Sequence, residues 1–244
     1  MRQYIFEFVR NAQEYIYKKF NQKDSKWPYF LMILVLLIVV VIGINVFIEL
    51  TDELSSKVLI NYDSAITEYV ISFRTPSLNK FMQFITNVGD IYGYLVLSAI
   101  FTTFFYLKFK NWRYVIQMLF VLGMAGLSNT ALKRVINRAR PDALHLVSVQ
   151  TLSYPSGHAM SAIAFYGFMI YLCFTLISEK WLKYSLVLFF GFLILAIGIS
   201  RIYLGVHYPS DIAGGYIAGF IWVVFCIAVF NIVDLFRRKE ERKV

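Results

Sequence analysis

The chain has 244 residues, of which 59% are hydrophobic, 18% are aromatic and only 16% are charged. Because an ordinary soluble domain has about 45–50% apolar and about 25% charged residues, this composition excludes a soluble globular protein, a disordered chain and a disulfide-rich secreted module. The formal net charge is +9, but the basic residues form short runs between apolar segments, which favours a lipid bilayer over nucleic acid as the partner.

Residues 1–27 are predicted to form a cytoplasmic amphipathic segment. Apolar residues recur there at helical spacing between charged ones: Ile5, Phe8, Val9, Ala12, Ile16 and Phe20. The pattern is typical of a helix lying in the membrane interface, and a core helix on the cytoplasmic side is an equal alternative. A signal peptide is not expected, because the polar prefix is long and no small-residue cleavage site follows the first apolar run.

Six apolar runs follow, and each is interpreted as a transmembrane helix because about 20 apolar residues cross about 30 Å of hydrocarbon. They are Pro28–Ile48, Ile91–Leu107, Tyr114–Leu132, Ala159–Ser178, Tyr184–Ser200 and Ile212–Val233. The fifth run is short and reaches the required length only if it continues past Arg201. Cys173 and Cys226 lie inside these runs and are interpreted as small apolar residues. The predicted fold class is all-α: an integral membrane bundle of six transmembrane helices over residues 28–235, followed by a basic cytoplasmic tail, 236–244.

Between the first two runs, two shorter amphipathic patterns predict interfacial helices. The first contains Val58, Tyr62, Ala65, Ile66, Tyr69, Val70 and Phe73, and the second contains Leu78, Phe81, Met82, Ile85 and Val88. Thr75 and Pro76 separate the two patterns and supply a helix-breaking signal. We expect these helices to cover one end of the bundle and to border an entrance for lipid.

The distribution of basic residues predicts the orientation in the membrane. Six spans place both termini on one side, and 16 of the 24 Lys and Arg residues fall in the termini and in the loops Lys108–Arg113 and Glu179–Lys183. Basic loops remain in the cytoplasm. The sequence therefore predicts a multi-pass protein of the cell membrane with both termini cytoplasmic, and it places the loops Lys133–Ser156 and Arg201–Asp211 on the outer side.

Three polar clusters occupy the predicted outer ends of the helices. They comprise Lys133, Arg134, Arg138, Arg140 and Pro141; Pro155, Ser156, Gly157 and His158; and Ser200, Arg201, His207 and Asp211. An ionisable side chain costs about 2.5–3.5 kcal/mol near the bilayer centre on insertion scales, so its presence beside a span requires an explanation. Because the clusters share one membrane face, we expect them to converge on one site.

The first part of the expected chemistry is anion binding. Lys133, Arg140 and Arg201 carry positive charge, and each guanidinium group can bind oxyanion oxygens bidentately. Ser156 and Gly157 stand where the fourth span begins, and a helix N-terminus presents unpaired N–H groups and the positive end of a dipole. Glycine also lets the backbone approach an anion closely. These residues predict a site for phosphate or for a group of the same shape.

Two histidines exceed what phosphate binding requires. His207 precedes Asp211 by four residues, a spacing that places both side chains on one helix face. A carboxylate bonded to one imidazole nitrogen fixes the tautomer and leaves the other nitrogen free to attack phosphorus. His158 is then expected to donate a proton to the leaving oxygen and later to accept one from water.

The three clusters resemble the three-part signature of the type 2 phosphatidic acid phosphatase superfamily. Lys133–Pro141 reads K-x6-R-P, Pro155–His158 reads P-S-G-H, and Ser200–Asp211 reads S-R-x5-H-x3-D. All eleven fixed identities match in order. The similarity also includes the six-span arrangement, so it extends over most of the chain beyond the first 27 residues.

This resemblance implies a role for each matched residue. His207 corresponds to the nucleophile that is transiently phosphorylated, Asp211 to the residue that assists it, and His158 to the general acid. It implies that no metal or other cofactor is required. The residues that correspond to the family's phosphate-binding positions are Lys133, Arg140, Ser156, Gly157 and Arg201.

Each cluster taken alone also has a simpler interpretation. The basic cluster can be an ordinary loop, Ser156 and Gly157 can be only a helix cap, and the His207–Asp211 pair can be structural. Convergence of all three on one face favours the catalytic interpretation. No catalytic role is assigned to Arg134, Arg138, Asp142 or His145, although Arg138 or His145 can touch a head group; Tyr154, Tyr203 and Tyr208 are interpreted as interfacial aromatics.

The function favoured by these features is that of a membrane lipid phosphatase that releases inorganic phosphate at the outer face. Bacterial proteins of this size in the family act on undecaprenyl diphosphate, phosphatidylglycerophosphate, phosphatidic acid or the phosphates of lipid A. The outward orientation favours undecaprenyl diphosphate, which is discharged on the outer leaflet, and phosphatidylglycerophosphate is second. The oligomeric state stays open.

Two other function classes share some of these features. Vanadate-dependent haloperoxidases resemble the family in the same motifs, but they are soluble and larger, which the hydropathy of this chain argues against. A non-catalytic binder or transporter of lipid phosphates would be expected to lack the nucleophile or the acid, and His207 and His158 are both present.

Overall fold

The structure, a computed structural model, describes residues 27–149 and 151–241, and this part of the chain is helical without any strand. Its helices are α1 (Trp27–Asp52), α2 (Lys57–Ser72), α3 (Pro76–Val88), α4 (Ile91–Phe109), α5 (Arg113–Ile136), α6 (Gly157–Leu176), α7 (Lys180–Tyr203) and α8 (Pro209–Glu241). The predicted amphipathic helix at residues 5–20 and residues 242–244 of the tail lie outside the described residues.

Six of the eight helices in the described ranges, α1 and α4–α8, are long and apolar enough to cross a membrane. The all-α fold class with six spans is therefore confirmed. The fifth predicted run forms part of α7, which starts at Lys180 and ends at Tyr203, so its continuation past Arg201 is also confirmed. Helix α8 continues without a break past residue 235, and the boundary between membrane domain and tail stays a prediction.

The two interfacial patterns form helices α2 and α3. Ser56 caps α2 by accepting a hydrogen bond from Leu59 N at 3.2 Å. Thr75 caps α3, and Pro76 occupies its first position, where the missing N–H costs nothing. Helix α2 packs against α7 and α8, and α3 packs against α4 and α7. Both helices cover one end of the bundle, as expected, whereas the entrance for lipid stays a prediction.

Helix α6 lies at the centre of the core, between α5, α7 and α8. It is regular except for one π-helical turn at Ile163–Gly167. The side chains buried along it include Ala159, Met160, Phe165, Tyr166, Phe168 and Met169. Helix α1, by contrast, packs on α8 and leaves most of its apolar side chains exposed, as befits a surface that faces hydrocarbon. Cys173 and Cys226 are buried and form no disulfide, so their interpretation as small apolar residues is confirmed.

Small residues allow α8 to approach α6 closely, as is common between transmembrane helices. A Cβ atom on Gly215 would lie 2.6 Å from the Ser156 carbonyl oxygen, and one on Gly219 would lie 2.5 Å from the Met160 carbonyl oxygen. Near this contact, Ser156 N at the start of α6 donates a hydrogen bond to the Asp211 carbonyl in the first turn of α8 at 3.0 Å. The backbone of two polar clusters is thereby held together.

Substitution of Gly219 by Ala is expected to destabilise the fold by about 1–3 kcal/mol, because the added methyl group overlaps a backbone oxygen that moves only if the helices separate. Gly191→Ala on α7 is the matched control, since no atom lies within 4 Å of the added Cβ and alanine favours helix. The unfolding temperature of both variants is measured in detergent, with tryptophan fluorescence as the probe. Equal unfolding temperatures would contradict the close packing of α6 and α8.

Candidate active site

The predicted site residues meet at one end of the bundle. Helices α5 and α7 end there, with Lys133 and Arg201 in their last turns, and α6 and α8 begin there. A cavity of about 800 Å³ lies at this end. Six of the eight predicted residues line it: Lys133, Arg140, Gly157, His158, Arg201 and His207. The other two, Ser156 and Asp211, are buried beside these lining residues.

His207 is buried and is held on one side by Asp211. Its Nδ1 atom lies 3.3 Å from Asp211 Oδ2, which agrees with the four-residue spacing. The same carboxylate oxygen accepts hydrogen bonds from Tyr208 N at 2.8 Å and from the Ser153 hydroxyl at 2.5 Å. These bonds fix the carboxylate and, through it, the plane of the imidazole.

The second ring nitrogen of His207, Nε2, lies 3.2 Å from Arg140 Nη1. Because a guanidinium group can only donate, Nε2 is the acceptor and the ring proton resides on Nδ1, facing Asp211. Burial lowers the pKa of His207 to about 3, although the hydrogen bond to Asp211 acts in the opposite direction. The imidazole is therefore neutral near pH 7, with a lone pair on Nε2, and both are properties that a nucleophile requires.

Lys133 and Arg140 line the cavity while they are bonded to backbone carbonyl groups. The Lys133 ammonium contacts the carbonyl oxygen of Leu152. Arg140 donates to the carbonyl oxygens of Thr151 at 2.7 Å and Val206 at 2.5 Å. The loop carbonyls thus aim both cations at the same space beside His207.

Arg201 is the most deeply buried of the predicted phosphate-binding cations, at 4% exposure. Its Nη1 donates to the hydroxyl of Thr86 on α3 at 2.7 Å. Its Nε–H group is buried and has no acceptor among the described residues. A buried donor without a partner is unfavourable by about 1–3 kcal/mol, and an oxyanion in the cavity would supply the acceptor.

Ser156 and Gly157 form the start of α6. The Ser156 hydroxyl accepts a hydrogen bond from Ala159 N at 3.4 Å and so acts as the N-cap. A Cβ atom on Gly157 would lie 2.9 Å from Asn129 Oδ1. A larger residue at this position would therefore displace the Asn129 side chain, and the close approach of the Gly157 backbone to an anion stays a prediction.

His158 lines the cavity without a hydrogen-bond partner in the part of the chain that the structure describes. It also lines a second cavity of about 330 Å³, formed by α4, α5 and α6 with Tyr94, Leu122 and Gly126. The imidazole thus lies between the phosphate-binding groups and a more apolar space.

Arg138 belongs to the site, although no catalytic role is predicted for it from the motifs. Its guanidinium group donates to Asp211 Oδ1 at 2.7 Å and to Asp63 Oδ2 at 2.8 Å. Burial lowers the pKa of Arg138, but the two carboxylates outweigh burial and the pKa is raised. The position of Arg138 inside the first motif was a sequence signal for its place in the site. No such signal marked Ser153, or Asp63, which lies 75 residues earlier on α2.

Three other polar residues of this region are exposed: Arg134, Asp142 and His145. Arg134 lines the cavity, and His145 Nε2 lies 3.0 Å from the Pro141 carbonyl oxygen. The structure gives Asp142 no contact that indicates a function.

The interpretation as interfacial aromatics is wrong for Tyr154 and Tyr203. Both rings are fully buried in the protein. This burial is tolerated because each hydroxyl has a hydrogen-bond partner inside the protein. Tyr154 bonds to the Thr51 hydroxyl at 3.0 Å, and Tyr203 donates to Asn79 Oδ1 at 2.7 Å. Tyr208 is partly exposed and lies 4.6 Å from the Arg138 guanidinium.

The chain is similar to known proteins over most of its length. Residues 114–233 match the family model of the PAP2 superfamily. The chain is 32% identical over 197 residues to phosphatidylglycerophosphatase B of Bacillus subtilis strain 168. The aligned region covers 79% of this chain and 95% of that relative. The chain is also 27% identical over 202 residues to an undecaprenyl-diphosphatase of Sulfolobus acidocaldarius, and this aligned region covers 82% of this chain and 89% of that relative.

A crystal structure of a transmembrane PAP2 type phosphatidylglycerolphosphate phosphatase from Bacillus subtilis matches the fold with a TM-score of 0.74 and 30% identity, over 80% of this chain and 96% of that one. Fold, site and similarity together define a multi-pass membrane phosphatase that hydrolyses phosphoric esters of lipids. The chain belongs to the PAP2 superfamily, and the resemblance of its three motifs to that family is confirmed.

Proposed function

We propose that this protein removes phosphate from a membrane lipid through a phosphohistidine on His207. The observation that carries the proposal is the state of this imidazole: it is bonded through Nδ1 to Asp211, and its Nε2 lies beside Arg140 in the cavity. Nε2 attacks phosphorus, the bond from phosphorus to the lipid oxygen breaks, and that oxygen takes a proton from His158. Water then attacks the phosphorus of the phosphohistidine and gives a proton to His158, the bond between phosphorus and Nε2 breaks, and inorganic phosphate leaves.

The phosphate group is held, in this proposal, by the cations of the cavity and by the start of α6. The unpartnered Nε–H of Arg201 supports this assignment because it is a buried donor beside the nucleophile. Such donors stabilise the charge that is spread over the equatorial oxygens during phosphoryl transfer. The proposed phosphate-binding residues are Lys133, Arg140, Ser156, Gly157 and Arg201.

A lipid leaving group is supported by the second cavity. That cavity shares His158, the proposed proton donor, with the phosphate-binding cavity. The leaving oxygen beside His158 would therefore have Leu122 and Tyr94 as neighbours on its far side. Apolar surface at this point suits the anchored part of a lipid better than a water-soluble alcohol.

Phosphatidylglycerophosphate is the substrate that we place first, and undecaprenyl diphosphate the one that we place second. The relative named phosphatidylglycerophosphatase B is the more similar of the two described above, at 32% against 27% identity. The predicted outward orientation still supports undecaprenyl diphosphate. This order reverses the one favoured by the sequence, because similarity over 95% of a relative outweighs an argument from orientation alone.

The orientation itself, with both termini cytoplasmic and the site on the outer side of the cell membrane, is part of the proposal. Lys180 and Lys183 stand at the start of α7, at the end of the bundle opposite the cavity. Basic residues at that end support a cytoplasmic assignment for it.

Purified protein in detergent is expected to release phosphate from phosphatidylglycerophosphate and from undecaprenyl diphosphate, and EDTA should not lower the rate. The reason is that the side-chain cations supply the charge stabilisation that a metal ion would otherwise supply. Phosphatidic acid, a lipid A phosphate and a water-soluble phosphomonoester complete the panel. Phosphate release is measured with and without EDTA for each compound. Loss of activity on chelation, restored by added Mg²⁺, would overturn the histidine route.

A further inference from the structure

A chain of alternating charges extends from the nucleophile to helix α2. Arg138 donates hydrogen bonds to Asp211 on one side and to Asp63 on the other, at 2.7 and 2.8 Å. Asp63 is 2% exposed and Asp211 is fully buried. Buried carboxylates are retained only where they are paired and hydrogen-bonded, so the position of Asp63 behind the site calls for a specific role.

Asp63 also contacts the first turn of α8, the helix that carries Asp211. Its Oδ1 accepts a hydrogen bond from Ser210 N at 2.9 Å, and its Oδ2 accepts one from the Ser210 hydroxyl at 2.5 Å. A carboxylate at this position is favoured by the positive end of the helix dipole. Asp63 therefore holds both the loop that carries Arg138 and the helix that carries Asp211.

The two carboxylates divide the charge of Arg138 between them. A lone guanidinium against Asp211 would cancel the negative charge that must stabilise His207 when its imidazole becomes cationic on phosphorylation. With Asp63 present, the group of three carries a net negative charge, so that Asp211 remains an effective partner of His207. The spacing of the three groups is that of direct hydrogen bonds, so the effect is large in a buried site.

We propose that Asp63 is a positioning residue for the reaction, which acts through Arg138 to keep Asp211 charged, oriented and available to His207. The inference rests on the proposed phosphohistidine function. It gives α2, which lies outside the six spans, a direct part in setting the reactivity of the nucleophile.

Asp63→Asn tests the inference, because the amide oxygen can still accept the Ser210 N–H bond while the charge is lost. We expect kcat and the rate of phosphohistidine formation to fall together by about 10- to 100-fold, the range seen when a partner that orients a metal-ligating side chain is removed. KM is expected to stay unchanged, because Asp63 does not line the cavity that holds phosphate. Rapid-quench labelling with a ³²P-labelled lipid phosphate measures the two rates.

Thr67→Val is the matched control, since Thr67 is buried one turn further along α2 and its hydroxyl has no partner in the described ranges. This variant should retain the wild-type rates. An Asp63→Asn rate equal to that of the wild type, or a loss confined to KM, would overturn the inference. A wild-type enzyme that forms no phosphohistidine would instead overturn the proposed function.

If the Asp63→Asn variant does not fold, Arg138→Lys tests the same inference. An ammonium group keeps the positive charge but lacks the planar fork that reaches both carboxylates at once. The expected result is again a fall in kcat and in phosphohistidine formation at constant KM. Wild-type kinetics in Arg138→Lys would overturn the inference.

Discussion

Replacement of His207 by Gln should reduce lipid-phosphate hydrolysis by on the order of 10⁴-fold or more, the range seen when a nucleophile that works with an orienting carboxylate is removed. A glutamine amide can occupy the same space and bond to Asp211, but it has no nitrogen lone pair with which to attack phosphorus. The protein should therefore fold and still bind phosphate through Lys133, Arg140 and Arg201, which hold their positions through loop carbonyls and Thr86.

The measurement is phosphate release together with acid-labile labelling of the protein by a ³²P-labelled lipid phosphate. His145→Gln makes the same chemical change at an exposed histidine whose ring contacts the Pro141 carbonyl, and it should leave both signals intact. Retention of turnover or of the acid-labile label in His207→Gln would show that phosphorus is attacked by another group.

Replacement of His158 by Ala should slow hydrolysis of a lipid phosphate by about 10²–10⁴-fold, the usual contribution of a general acid or base. The effect should depend on the leaving group. A lipid alkoxide requires a proton as it departs, whereas nitrophenolate does not, so phosphorylation of His207 by p-nitrophenyl phosphate should be much less affected. Hydrolysis of the phosphohistidine also uses His158, so the phosphorylated protein should accumulate.

Stopped-flow release of nitrophenolate separates the two steps, since phosphorylation gives a burst and hydrolysis gives the slow phase. In the His158→Ala variant we expect the burst to persist and the slow phase to be reduced. Asn129→Ser, which changes a neighbour of Gly157 on α5, controls for disturbance at the start of α6. Equal losses in the rate of His207 phosphorylation with the lipid and the nitrophenyl substrate would rule out proton donation by His158.

The spans and most of the site could be predicted from the sequence because the bilayer and the chemistry each impose a strong local pattern. Hydrocarbon requires long uninterrupted apolar helices, and these were recognised within a few residues of their ends. Each polar cluster beside the spans also has a simpler interpretation, but the presence of all three clusters at one membrane face favours a common site. The three motifs contain six residues that line the cavity, and the four-residue spacing correctly joins His207 to Asp211.

The partners of these residues could not be predicted, because they are chosen by tertiary contacts between distant segments. In the sequence, Asp63 is one polar position of an amphipathic helix, and the residues around it do not indicate that it pairs with Arg138. Thr86 meets Arg201 only after α3 has folded across the end of α7. The interpretation of Tyr154 and Tyr203 as interfacial aromatics is wrong for a related reason: the preference of tyrosine for the membrane interface is overridden when an internal partner satisfies its hydroxyl.

The bonds between the cavity cations and the loop backbone have a consequence for turnover. Lys133 and Arg140 already donate to the carbonyl oxygens of Leu152, Thr151 and Val206. An arriving anion therefore exchanges one set of acceptors for another, and only part of the attraction appears as net affinity. In the proposed function we therefore expect inorganic phosphate to leave the site readily after each cycle, which suits an enzyme whose substrate stays concentrated in the plane of the membrane while its product escapes into water.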